Sequence, residues 1–156
     1  MELKISILGL LALLTLDSAS SQDMPSAKKS APIIRMLFIA PCSTSVSGGK
    51  ASLKIGALSR QAQSYIGDYQ FKVSPFFFKN EKGKLSIEVA DDTLSKLASG
   101  MAVDFTGQAT TSGSGNVRRI DGKATPDGSA RGTVKLWFMA GNKELVFNTS
   151  YHFDEK

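Results

Sequence analysis

Residues able to do chemistry are few in this sequence and widely separated. One histidine, His152, and one cysteine, Cys42, occur in 156 residues. That excludes a multi-histidine metal centre and a four-cysteine zinc site, and any Ser-His-Asp arrangement has to be built on His152. His152 stands between Tyr151 and Phe153, in phase with Val146, Asn148 and Ser150. This phase predicts a place on the wetter face of the last strand, facing solvent. No Gly-x-Ser-x-Gly nucleophile elbow occurs. Gly113-Ser114-Gly115 lacks the Lys-Ser/Thr that must follow in a phosphate loop. The carboxylates Asp68, Asp104 and Asp121 fall in separate segments, whereas a glycosidase needs two facing each other across a cleft. The chain is therefore read as a non-enzyme with no cofactor or metal site. A hydrolase working through the scattered carboxylates or His152 is the alternative.

Cys42 follows Ile39-Ala40-Pro41, a partial match to a lipid-attachment motif. The proline directly before it and its distance from the hydrophobic N-terminal core speak against lipidation, so a lone thiol at a strand end is expected.

Nineteen Lys and Arg oppose 14 Asp and Glu, for a net charge of +5, which favours anionic partners without specifying one. Arg118 and Arg119 are adjacent, and neighbouring strand positions point to opposite faces, so one of them must lie inside or at a sheet end. Two readings of Asn116 to Thr125 follow: an edge strand protected by charge, which is preferred, or a binding surface formed by Arg118, Lys123, Arg131 and Lys135 with Trp137 nearby. Envelope glycans, lipid headgroups or an envelope protein are the partners considered, and nucleic acid is not expected. Phe76-Phe77-Phe78 after Pro75 must expose at least one ring. Trp137, Lys135 and Met139 form the second face of their strand, for which cover by the protein's own helix is expected.

The elements that must position these residues read as sheet. Alternation predicts inward sets of Ala51, Leu53, Ile55 and Ala57, of Tyr65, Gly67, Tyr69, Phe71 and Val73, and of Leu85, Ile87 and Val89. It continues with Met101, Val103, Phe105, Gly107 and Ala109, and with Leu145, Phe147, Thr149, Tyr151 and Phe153. Asn80 to Gly83, Gly113 to Asn116, Pro126-Asp127-Gly128 and Gly141-Asn142 read as connections. Asp91 to Ser99, with acidic residues first, Leu94 and Leu97 three apart and Gly100 after it, reads as one short capped helix. Glycines inside strands, Gly67, Gly107, Gly122 and Gly132, predict strong curvature. The fold expected is all-β: an antiparallel sandwich or a strongly curved meander barrel of about seven to eight strands with one short helix at about 91-99.

The N-terminus carries an address. Ile5 to Leu16 is apolar apart from small or hydroxylated residues, too short to span a bilayer, and Ser18 to Ser21 supplies a cleavage region. Residues 1-21 are read as a signal peptide, 22-32 as a flexible lead-in and 33-156 as a single β domain. Cleavage before Gln22 removes one basic and two acidic residues, so 18 face 12 and the net charge becomes +6. No transmembrane helix is expected in the mature chain. The reading is thus an exported protein, periplasmic or extracellular, acting as a binding or assembly module in the cell envelope for an anionic or amphipathic ligand. A small outer-membrane β-barrel is the second possibility, because Phe147, Tyr151 and Phe153 near the C-terminus are similar to the aromatic ends of such barrels.

Overall fold

Alternation with one apolar phase demands that every strand hide one face, and a meander satisfies this by curling until its first and last strands meet. The computed structural model describes residues 34–155, and the side chains of residues 36–154. The segments read as signal peptide and lead-in lie outside the described residues. Among the described residues ten strands occur: β1 (Ile34–Ile39), β2 (Cys42–Val46), β3 (Gly49–Ile55), β4 (Leu58–Gln61), β5 (Ser64–Ser74), β6 (Glu81–Glu88), β7 (Val103–Thr111), β8 (Val117–Pro126), β9 (Arg131–Ala140) and β10 (Lys143–Glu155). They form a closed antiparallel barrel of eight staves, because β1 with β2 and β3 with β4 each make one interrupted stave. Register carries straight across both interruptions, with Val46 opposite Gly49, Cys42 opposite Leu53 and Leu37 opposite Leu58. Pairing of β5 with β6 and of β1 with β10 completes the circuit. The sandwich alternative is thereby set aside.

Each interruption has a local cause. Pro41 has no N–H to give a ladder, so β1 and β2 part there, while Ala40 N–H still reaches Ser150 O at 2.9 Å. Between β3 and β4 the pairing with β5 moves from Ile55–Tyr69 to Ser59–Ile66, which inserts one extra residue at Gly56-Ala57. A one-residue insertion reverses the phase. Hence Ala57, expected inside, is exposed, and Leu58 takes the buried place.

The interior is filled by Leu53, Leu58, Tyr65, Tyr69, Leu85, Ile87, Ile120, Leu136, Phe138 and Phe147, all almost wholly buried. Phe138 stacks on Phe71 with centroids 5.1 Å apart. Between the core and the short helix at Asp91–Ala98 lies a small, mainly apolar void of about 30 Å³, bounded by Ile87, Phe105 and Tyr151 among others. Around it the core is packed side chain against side chain. Four buried glycines let the wall coil around it, and at Gly83 the approach is closest: an added Cβ would stand 1.9 Å from Thr110 O on the adjacent strand.

The helix α1 (Asp91–Ala98) closes one end, the base. Leu94 and Leu97 turn inward beneath the void, and Gly100 at φ +86 ends the helix. Its first residue, Asp91, pairs with Arg60 at 2.7 Å, whose guanidinium also lies 5.3 Å from the Tyr65 ring centre. Neither aspartate caps the helix through its side chain; Asp92 instead pairs with Lys96 one turn on. Because α1 plugs the end, it does not cover the outer face that carries Trp137, contrary to expectation. Met101, expected inward, is exposed in the link between α1 and β7.

Outside, the wall is polar. Lys50 and Lys54, Gln70 and Lys72, Asp104 and Gln108, and Asn148 and His152 all face solvent. This is the reverse of a membrane-spanning barrel, whose outer band is apolar. Among the described residues no helix is long and apolar enough to cross a membrane.

Candidate site at the open mouth

Among the described residues, no helix covers the end opposite α1. Four connections ring it: the Ser47-Gly48 turn, residues 75–80 between β5 and β6, residues 112–116, and the Gly141-Asn142 turn. Between them opens a cavity of about 510 Å³ with apolar walls from Val46, Val73, Phe76, Ala140 and Leu145.

A polar cluster lies at its side. Arg118 extends from β8 with the inward phase of Ile120, and its Nε and a terminal nitrogen donate to the two carboxylate oxygens of Glu81, both at 2.8 Å. The Glu81 side chain is 10% exposed and that of Arg118 26%, so this is a two-pronged ion pair sheltered from bulk water. A third guanidinium nitrogen reaches Met139 O at 3.4 Å. Tyr69 O–H donates to Glu81 Oε1 at 3.2 Å; its one hydrogen being used, Thr111 Oγ1 donates to the phenol oxygen at 3.3 Å. Donating hydrogen bonds to Glu81 pushes the Arg118 guanidinium still higher in pKa, against the opposing effect of burial. Burial also raises the Tyr69 phenol, which keeps it a neutral donor.

One lip of the mouth is aromatic. After a cis Ser74-Pro75 bond, a short 3-10 turn, Phe77–Lys79, carries the chain round. Asn80 Oδ1 accepts from Val73 N–H at 2.8 Å and pins the loop to β5. Phe76 packs inward edge-on to Phe78 at 6.0 Å, with the Lys79 ammonium 5.5 Å from the Phe76 ring centre. Phe77 and Phe78 remain 73% and 82% exposed, as the triplet required.

The five residues expected to bind do not converge. Arg118 points into the mouth, whereas Lys123, Arg131 and Lys135 are exposed on the outer wall and Trp137 is half-buried there. Lys123 and Lys135 are cross-strand neighbours, and the Lys135 ammonium sits 5.1 Å from the Trp137 ring centre. Arg131 lies at the base end of β9, opposite His152. Nor is β8 an edge: it pairs along its length with β7 and β9, so edge protection does not explain its charges. Arg119, the outward member of the pair, binds Asp121 at 2.9 Å.

Glu81 was missed because Asn80 to Gly83 reads as a turn, while Glu81 begins β6 and Gly83 is a strand glycine. Extending the inward phase of Leu85 and Ile87 back by four residues reaches Glu81, and an inward arginine calls for such a carboxylate. That was the available signal.

The chemical candidates are dispersed. His152 lies on the outer wall, stacked on Phe38 at 4.9 Å. The Cys42 thiol is raised to about 11 by burial and points to Leu53 O at 3.7 Å. Asp68 pairs with Lys84 at 2.7 Å. Glu88, Asp104, Asp121 and Trp137 share a shallow outer groove of about 620 Å³. General-acid work there would need a desolvated carboxyl, whereas Asp104 is exposed and Asp121 carries Arg119. Among the described residues, no three His, Cys, Asp or Glu side chains form a group suited to a metal ion.

Comparison with protein-family models, with curated proteins and with solved structures found no match.

Proposed function

We propose that this is an exported, non-enzymatic binding domain of the cell envelope whose ligand site is the open mouth of the barrel. The observation that carries the reading is the union, in one cavity of about 510 Å³, of apolar walls with the Arg118–Glu81 pair. Small-ligand sites have this composition: mostly apolar lining and a few fixed polar groups. Lys79 and Lys143 line the same opening, so the ligand is a small amphiphile whose anionic head meets these lysines while its tail lies against Val46, Val73 and Leu145. The packed interior limits the depth of entry, so the tail is short.

The test is titration with octyl phosphate below its micellar concentration, followed by nuclear magnetic resonance. Saturable shifts are expected at Val46, Glu81, Thr111 and Leu145, with little change at His152. Ala140→Trp, which fills the cavity, abolishes them. Absence of saturable shifts, or equal shifts in the Ala140→Trp protein, overturns the reading.

A further inference from the structure

The lip outside the cavity points to a second property. Soluble surfaces seldom leave two neighbouring phenylalanines bare, and a bare apolar patch edged by polar residues marks an interaction site. Phe77 and Phe78 are bare on the loop that rims the mouth, which is held by the Asn80 clamp and by Phe76 packed against Phe78.

Charge is distributed with the same polarity. Around the mouth stand Lys50, Lys79, Lys82 and Lys143, all exposed, while the acids at that end are Glu144 and the already paired Glu81. Around the base stand Glu88, Asp91, Asp92, Asp127 and Asp154, all exposed; of the cations at that end Arg60 pairs with Asp91, Lys96 pairs with Asp92, and Arg131 is exposed, so the acids remain in excess. A barrel charged this way turns its mouth toward a negative surface and its base away.

We infer that the mouth docks on anionic lipid bilayers, with the Phe77 and Phe78 rings entering the headgroup region and the four lysines contacting lipid phosphates. Aromatic rings beside lysines suit this boundary, where one side is apolar and the other wet and negative. A soluble polyanion would engage the lysines and leave the rings in water, so the bilayer is the partner that uses both. The inference goes beyond the small-ligand reading: Phe78, Lys79 and Lys143 also border the cavity, but docking depends on their outward exposure and not on the space within.

The experiment is co-sedimentation with vesicles of phosphatidylcholine alone and of phosphatidylcholine with phosphatidylglycerol in equal parts. The protein is expected to bind the mixed vesicles, to be released by salt, and to leave the neutral vesicles unbound. Phe77→Ser with Phe78→Ser lowers binding at least about tenfold, and each of Lys79→Gln and Lys143→Gln lowers it about fivefold. A Phe78→Trp probe in a Trp137→Phe background shifts to the blue on binding and is quenched by brominated acyl chains. The Ala140→Trp protein, blind to octyl phosphate, still binds vesicles, so failure of the cavity and failure of the lip give different patterns. Undiminished vesicle binding after loss of both phenylalanines, or equal binding to neutral vesicles, overturns the inference. So does heparin binding that matches vesicle binding and ignores the phenylalanines, which assigns the lysines to a glycan.

Discussion

Removing the Arg118 side chain is the sharpest perturbation of the mouth. Arg118→Met keeps length and apolar contact but leaves the Glu81 carboxylate, 10% exposed, with Tyr69 as its remaining donor. Stripping one partner from a fully buried pair costs about 3–5 kcal/mol, and from an exposed pair less than about 1 kcal/mol. With Arg118 itself 26% exposed, water reaches part of the site, and the expected cost is about 2 kcal/mol. At a urea slope of about 1.5 kcal/mol per molar, the unfolding midpoint falls by about 1.3 M. Arg118→Met combined with Glu81→Leu removes both charges and lets Tyr69 donate to Thr111 instead. It is expected to lie within about 0.5 kcal/mol of the unaltered protein. Urea unfolding of the four proteins of this cycle, at neutral pH, measures the coupling. A single-variant loss below about 0.5 kcal/mol, or a double variant as weak as the two losses summed, refutes the argument that the pair is sheltered and interdependent.

Two glycines separate rigid from yielding neighbours. Gly83→Ala drives a Cβ to 1.9 Å from the backbone oxygen of Thr110 and is expected to cost about 3 kcal/mol or more, whereas Gly122→Ala meets the tip of the Phe105 ring at 2.1 Å and costs about 1–2 kcal/mol. Phe105→Leu restores most of the second loss but none of the first; equal losses in urea, with no restoration, disprove the distinction. Alkali supplies another prediction. Burial raises the Cys42 thiol from 9.0 to about 11 and also raises the Tyr65, Tyr69 and Tyr151 phenols, so the unfolded chain sheds these protons first. Stability therefore declines as pH rises above about 9, and Cys42→Ala flattens the first part of the decline, between 9.0 and about 11, in midpoints measured across that range.

Much of the fold was legible because a half-buried strand writes its phase into the sequence. Leu85, Ile87 and Val89, and Phe147, Tyr151 and Phe153, occupy the faces their alternation predicts. Phase fails where the chain inserts a residue, as at Gly56-Ala57, since nothing in the side chains there distinguishes a bulge from continued strand. Closure was harder still, because it pairs strands from opposite ends of the domain. The mouth was half-legible: adjacent Arg118 and Arg119 required one to lie inside or at a sheet end, but the partner of the inward one lies 37 residues away. Gly83 concealed that partner by its type. Here it serves close strand approach and not a turn.

The seam between β1 and β10 also governs when the molecule can be completed. Every other stave pairs with a neighbour in sequence, while the bond from Thr149 Oγ1 to Ala40 O spans 109 residues. Until residues 143–155 have been synthesised, β1 and β9 each present a bare row of N–H and C=O groups beside an apolar inner surface. Closing the ring is the longest-range strand pairing of the fold. Loss of the last strand by truncation thus leaves an open sheet prone to self-association, with the mouth lacking the wall that Lys143 and Leu145 supply.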